Sequence, residues 1–199
     1  MAQLSNFVAA LKEGGVRANQ FEVSITKAPM TLDAANFTFL CKGTSVPAMA
    51  IGEIPIPYRG KTIYVAGERT YETWAITVFS DRDLSMRNSF ELWQSHLHDI
   101  GQTTGRDAIG EQPSKYYGEA LVKQMDRNDN VLRVYKLHNV WPTSVDTMEF
   151  GYDTNDAILE FGVTFRYNYM TIEGFGPTSG QIGTLSGAAA RPAASGGGR

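Results

Sequence analysis

Among the 199 residues, the side chains best suited to metal binding or acid–base work are His96, His98 and His138, a lone Cys41, and the run Asp126-Arg127-Asn128-Asp129-Asn130. Each is placed in a way that works against chemistry. His96 and His98 lie two apart on a segment of helical period, so their rings point roughly 200° apart and cannot share an ion. His138 falls in a strand-like run with no cysteine or carboxylate cluster beside it. The Asp126–Asn130 run looks like the start of a calcium loop, yet the sixth position is Val131 where glycine is needed, and the twelfth is Leu137 where a bidentate glutamate belongs. These residues suit a hairpin turn better. Gly174, Gly176 and Gly180 lack the spacing of a dinucleotide fingerprint and no amphipathic helix follows them. No nucleophile elbow, phosphate loop, zinc-ligand helix or cysteine pair occurs. The expectation is therefore a protein that is not an enzyme, with no catalytic residues, no cofactor and no metal.

Charge and composition point away from several binding classes as well. A net charge of −3 and a pI near 5.6 give no basic field that would hold DNA or RNA by counterion release. No apolar run approaches a bilayer span, and the N-terminus has neither the basic nor the apolar region of a secretory leader. A single cysteine excludes an intrachain disulfide and fits a reducing cytoplasm; Cys41 reads as a buried strand residue. Trp74, Trp93 and Trp141 with nine tyrosines could form a sugar-stacking platform, but Trp74 and Trp93 fall on expected core faces.

Leu4, Phe7, Val8 and Leu11 follow helical spacing and Gly14-Gly15 stops them, predicting a short N-terminal helix over 4–13 that must dock on its own domain or on another copy. Strand-like alternation begins at Phe21, Val23 and Ile25, resumes at Phe37, Phe39 and Cys41, and returns at Trp74, Ile76 and Val78. Met86, Phe90, Trp93, Leu97 and Ile100 share one helical face, predicting a main helix over 83–100 with Asp81 or Asp83 as its cap. A single main helix argues against a doubly wound fold and for a mainly β chain. Tyr117–Met125 and Val131–Val140 read as a hairpin. Leu159, Phe161, Val163, Phe165, Tyr167 and Tyr169 alternate with polar residues as one final strand, one face in the core and the other wet.

The stretch Ile54–Trp74 is different, because it carries apolar side chains that a small domain cannot easily cover. Pro55 and Pro57 sit two apart, so both missing N–H groups lie along one edge and that edge cannot extend a ladder. Gly60 offers a turn, Thr62–Ala66 a return run, and Gly67 is expected to break it before a third strand starts near Tyr71. Such an arm, spanning 46–68, either folds back or reaches a neighbour. From Gly174 the composition turns to Gly, Ala, Ser, Thr and Pro, too little to order itself without a partner surface.

Several short motifs then coincide in order with one family. They are Phe39 with Cys41 and Lys42, the Thr44–Pro47 turn, Ile54-Pro55, the Ala66-Gly67-Glu68-Arg69-Thr70-Tyr71 run with Trp74, Trp93-Gln94-Ser95, Trp141-Pro142-Thr143, and the Asp153–Asn155 turn. Over roughly residues 18–170 the chain resembles the tail tube proteins of contractile-tailed bacteriophages, a family related to tailocin and type VI secretion tube proteins. The resemblance implies a tube domain over 1–170 and a C-terminal extension over 171–199. The fold it implies is two packed antiparallel β-sheets in a barrel-like sandwich, flanked by one main helix and bearing the hairpin arm. It implies six copies in a ring, rings stacked into the inner tube of a contractile tail, and duplex DNA passing through the lumen without specific binding. Sheath, baseplate and tail terminator proteins are the implied partners, with no membrane; the implied location is the virion tail, after assembly in the host bacterial cytoplasm. The arm would then be an intersubunit or inter-ring contact, with Ile56, Tyr58, Ile63 and Val65 supplying burial and Arg59, Lys61 and Arg69 supplying polar register. Pro47, Ile54 and Pro55 complete the contact candidates. The lumen is expected to be neutral or acidic, since a basic wall would trap DNA. The alternatives are a tube protein of a tailocin or other injection machine, a carbohydrate-binding β-sandwich, and a hydrolase whose acid or base cluster is not visible in the sequence.

Overall fold

A computed structural model describes residues 4–11, 15–29, 34–97, 113–153 and 156–173. Apolar residues at every second position make most of these segments strands with one buried face. In β1 (Phe21–Lys27) Val23 and Ile25 are buried; in β6 (Gly118–Met125) it is Gly118, Ala120 and Val122. Strand β6 turns through Asp126–Asn130 into β7 (Val131–Val145), and the turn closes by Asp126 N–H donating to the Asn130 carbonyl at 2.9 Å. The hairpin and its turn are as expected, although β7 runs on past Val140. The remaining strands of the body are β2 (Cys41–Thr44), β5 (Trp74–Phe79), β8 (Glu160–Arg166) and β9 (Tyr169–Glu173).

All pairings are antiparallel, in the order β1-β6-β7-β8-β5-β2, with β9 also on β7. Strand β7 belongs to two sheet halves. Its first part lies between β6 and β9, and its last part pairs with β8. The change of sheet happens at Asn139, whose φ of 59° sits in a register shift between β6 and β7. One extra residue there moves the buried set from Tyr135 and Leu137 to Val140, as a bulge does. Strands β1 and β2 end the path, so the two halves enclose a core without closing into a barrel.

That core is aromatic and is capped by α3 (Ser85–Leu97), whose Met86, Phe90 and Trp93 point inward. Phe90 meets Phe161 and Phe165 edge-on at 6.3 and 5.8 Å, and Trp74 lies against Phe165 at 5.1 Å. Both buried indoles keep a polar partner: Trp74 Nε1 donates to Thr44 Oγ1 at 2.8 Å and Trp93 Nε1 to the Tyr116 carbonyl at 3.1 Å, the latter in the single turn α4 (Pro113–Tyr116). At the start of α3, Ser85 hydroxyl donates to Asp81, the expected capping region. The helix starts at Ser85, two residues later than predicted, and residues 98–100, with His98 and Ile100, lie outside the described residues.

Several expectations are corrected. Phe37 and Phe39 do not share a strand face; they sit in α2 (Ala34–Leu40), which turns Phe37 into the core 5.9 Å from Phe90 and leaves Phe39 85% exposed. The strand begins only at Cys41. The final apolar run is two strands, not one: the chain bends at Asn168, whose N–H donates to the His138 carbonyl at 3.1 Å. The bend follows from β7, because β8 pairs with its far part and β9 with its near part, and the step between them swaps faces. Tyr167 is therefore buried, Tyr169 exposed and Met170 buried. The described fold continues through Glu173; residues 174–199, with Gly174, Gly176 and Gly180, lie outside it. Helix α1 (Leu4–Ala10) begins as expected, residues 12–14 are outside the description, and its Leu4 and Phe7 are exposed.

Candidate assembly interface

The segment 49–71 forms a sheet of its own. Strand β3 (Met49–Tyr58) pairs with β4 (Lys61–Tyr71) from Tyr58↔Lys61 back to Met49↔Tyr71. Two residues, Arg59 and Gly60, make the turn with φ of 46° and 80°. Two successive positive φ values define a type I′ turn, whose twist matches the flanking strands. Gly60 is at home there; Arg59 is strained, and its guanidinium lies 5.4 Å from the Tyr58 ring. Ten residues of β3 give an arm about 33 Å long at the usual rise per residue.

The residue pairing decides what each face carries. Ile54↔Val65, Ile56↔Ile63 and Tyr58↔Lys61 lie on one face; Pro55↔Tyr64 and Pro57↔Thr62 lie on the other. The first face is thus an apolar stripe of Ile54, Val65, Ile56, Ile63 and Tyr58 that ends at Lys61, and every residue of it is exposed. The flanking pair of a two-residue hairpin exchanges both of its hydrogen bonds, so Pro57 and Pro55 fall at the alternate positions whose backbone groups point away from β4. The prolines therefore face outward, leaving β3 bonded on one side, as their spacing predicts. The outer edge of β4 keeps its donors at Thr62 and Tyr64. Gly67 does not end the return strand: β4 runs through it with a bulge, Gly67 and Glu68 standing opposite the single Gly52, whose carbonyl oxygen is 3.0 Å from where a Cβ on Gly67 would sit. The next strand starts at Trp74, not near Tyr71.

Of the residues singled out from sequence, Ile54, Ile56, Tyr58, Ile63 and Val65 come together on this single face, with Arg59 and Lys61 at its tip. Arg69 lies near the root, opposite Ile51. Pro47 is not on the arm at all: it is buried in the link between β2 and β3, where the chain leaves the core, and offers no contact surface. At the root Tyr71 packs against Tyr167 at 5.6 Å, and burial pushes the Tyr167 phenol up to about 12.

The wet face of the β1-β6-β7 half is charged but balanced. Lys123 Nζ donates to Glu22 at 2.6 Å, and Lys136 Nζ lies 3.0 Å from Glu119, holding that carboxyl below its usual range. His138 stacks on Tyr169 at 4.4 Å and its Nε2 is 3.0 Å from Thr171 Oγ1; burial lowers its pKa. Among the described residues no group of three His, Cys, Asp or Glu is arranged for a metal, and no helix is long and apolar enough to cross a membrane. Trp74 and Trp93 are buried, so they make no sugar platform.

Sequence reasoning passed over one surface feature. The connection from β7 to β8 exposes Phe150, Tyr152 and Ile158 around an open groove of about 970 Å³. Three large apolar side chains amid Gly, Asp and Asn are the signal that could have flagged it, since turn residues alone need none.

A family model described as phage tail tube protein matches residues 5–173 of this chain. The chain is similar to tail tube protein gp19 of Enterobacteria phage T4, 34% identical over 154 residues, which covers 77% of this chain and 89% of the relative. Tail tube protein of Serratia phage KSP90 is 26% identical over 172 residues, 84% of this chain and 95% of the relative. In fold, the chain is similar to a chain of the sheath-tube complex of an extracellular contractile injection system in its extended state, with a TM-score of 0.59 at 12% identity, covering 88% of this chain and all of that one. A chain of the anti-feeding prophage baseplate gives a TM-score of 0.58 at 10% identity, covering 79% and 95%.

Proposed function

Because the chain belongs to the phage tail tube protein family, we propose that its copies close into six-membered rings and that the rings stack into the inner tube of a contractile phage tail. The observation that carries this reading is the apolar face of the arm, which a family member of this kind exposes along its whole length and its own body leaves uncovered. A chain that offers such a face in one place and receives it in another assembles head to tail: the contact closes a ring where the rotation divides a circle, and a second contact stacks rings without end. The role is structural, with no catalysis and no cofactor.

Duplex DNA is the cargo of such a tube, and the tube wall must let it slide. The net charge of −3 supports a tube without a basic field. Sheath, baseplate and terminator proteins are the partners that this reading carries; chains of a contractile baseplate, a sheath-tube complex and a sheath/tube terminator share this fold and support it at that level. The location is the virion tail, after assembly in the host cytoplasm. Identity of 34% to a phage tube protein, against 12% to an injection-system chain, favours the phage over a tailocin or secretion tube.

Negative-stain electron microscopy of the purified protein tests the reading. Tubes of uniform width built from six-fold rings are expected. A species that stays monomeric at high concentration, and monomeric when extracted from intact particles, removes it.

A further inference from the structure

Resting on the tube reading, we infer that the tip of the arm docks in the groove at the β7–β8 connection of a second copy of this chain. The two surfaces match in shape class and in charge. The tip presents Tyr58, Arg59 and Lys61 at the end of an apolar stripe, and neither cation makes an ion pair among the described residues. The groove is open, about 970 Å³, and apolar where Phe150, Tyr152 and Ile158 line it. Its charged lining is acidic throughout: Asp146, Glu149 and Glu160, with no lysine or arginine among the described residues that line it. Glu160 is engaged by Lys42, whereas Asp146 and Glu149 make no ion pair among the described residues. Arg87 reaches this corner, but its guanidinium donates to the Asp146 backbone carbonyl at 3.0 Å rather than to the carboxylate. The Asp146 carboxylate itself lies against Gly162 of β8, so Glu149 is the exposed, unpaired acid of the groove, and two unpaired bases sit on the tip.

The same chain leaves both parts empty. Tyr58 at the tip is 60% exposed and the groove is open, so the arm does not fold into its own body. A knob and a hole at separate places on one chain form a heterologous contact, the type that builds rings and tubes. Charge of opposite sign across it fixes which way the copies face and rejects tip-to-tip or groove-to-groove pairing. Helix α1 is the rival occupant from a second copy, since Leu4 and Phe7 are exposed. Its described residues carry no cation, and the unpaired Glu149 of the groove favours the arm.

The test joins the two surfaces covalently. Full-length protein carrying Lys61→Cys and Glu149→Cys is assembled, treated with a short thiol–thiol cross-linker and run on a denaturing gel. The native Cys41 is held back by burial, which raises its thiol to about 11. A ladder of dimers and higher multimers is expected from the double variant, and none from either single variant. In parallel, Lys61→Glu is expected to raise the concentration needed for tubes by roughly tenfold, and adding Glu149→Lys to restore it. Wild-type protein without tubes overturns the tube reading and this contact with it. Wild-type tubes whose double-cysteine form stays monomeric on the gel, or a charge-swapped Lys61→Glu, Glu149→Lys variant that is folded but not restored, overturn the contact alone. A ladder from Phe7→Cys with Glu149→Cys in its place gives the groove to α1 and likewise overturns it.

Discussion

Replacing Ile63 by aspartate probes the apolar face of the arm with the least disturbance to the body. Ile63 is 56% exposed and stands opposite Ile56, itself 46% exposed. Full burial of an isoleucine is worth about 1.5–3 kcal/mol, so covering the exposed half at an interface contributes about 1 kcal/mol. Aspartate forfeits that and adds a carboxylate with no partner; leaving a polar group buried and unpaired costs a further ~1–3 kcal/mol at least. The contact weakens by about 3 kcal/mol, which is roughly a hundredfold in the concentration at which tubes appear. Ile63→Ala loses only the apolar part and shifts that threshold about fivefold. Thr62→Asp, on the opposite face of the same hairpin, shifts it by less than about twofold, because an exposed surface change stays within ~0.5 kcal/mol. The assay is light scattering against protein concentration, with circular dichroism and thermal melting to show that each variant remains folded. Equal thresholds for wild type and Ile63→Asp refute the assignment of this face to a contact; equal losses for Ile63→Asp and Thr62→Asp refute the one-face argument.

Other outcomes follow from the body of the fold. Gly118→Ala places a methyl 2.5 Å from the Lys27 carbonyl oxygen and 2.7 Å from the Trp93 ring, and is expected to cost about 1–3 kcal/mol, read as a lower melting temperature. Stability is expected to fall on acidification. His138 and Glu119 both have pKa values lowered by folding, so their contribution is complete above the unfolded values and is lost as pH falls, from about 6.5 downward for the histidine and from about 4.3 downward for the glutamate. Melting curves across that range check it, and His138→Gln should flatten the upper part. Cys41 should react with a thiol reagent at pH 8 roughly a hundredfold more slowly than a free cysteine, since a thiol raised to about 11 holds little thiolate there; a rate equal to that of the denatured protein contradicts the burial argument.

Where one period ran uninterrupted through a segment, the sequence was readable. Met86, Phe90 and Trp93 are inward on α3, the β6–β7 hairpin turns at Asp126–Asn130, and the two prolines of β3 point away from its partner. The failures share a cause, namely positions where tertiary contacts choose between two local answers. Phe37 and Phe39 fit a strand by alternation, but only one ring finds room against Phe90, and a helical turn delivers it. The last apolar run keeps its alternation through Asn168, whereas the chain there must step between two parts of β7 set out of phase by Asn139. That Ile54, Ile56, Tyr58, Ile63 and Val65 share one face was legible because a lone hairpin concentrates its side chains by simple pairing. Pro47 was misjudged because burial depends on where the link enters the core. The groove was missed because its walls join a loop, α3-facing strands and the end of β7, which no local pattern brings together.

The outward-facing prolines of β3 bear on what happens before any copy finds its neighbours. A newly made chain waits in solution with a long, isoleucine-rich ribbon held out from its body, the sort of margin along which proteins zip into fibres. Two donors are missing along one margin of that ribbon, so β3 cannot template a stranger's strand, and two ribbons cannot embrace symmetrically through it. Sterile pairing through that margin is thereby disfavoured, and any strand that joins the ribbon by backbone bonds is directed to the other side, where β4 keeps its donors at Thr62 and Tyr64.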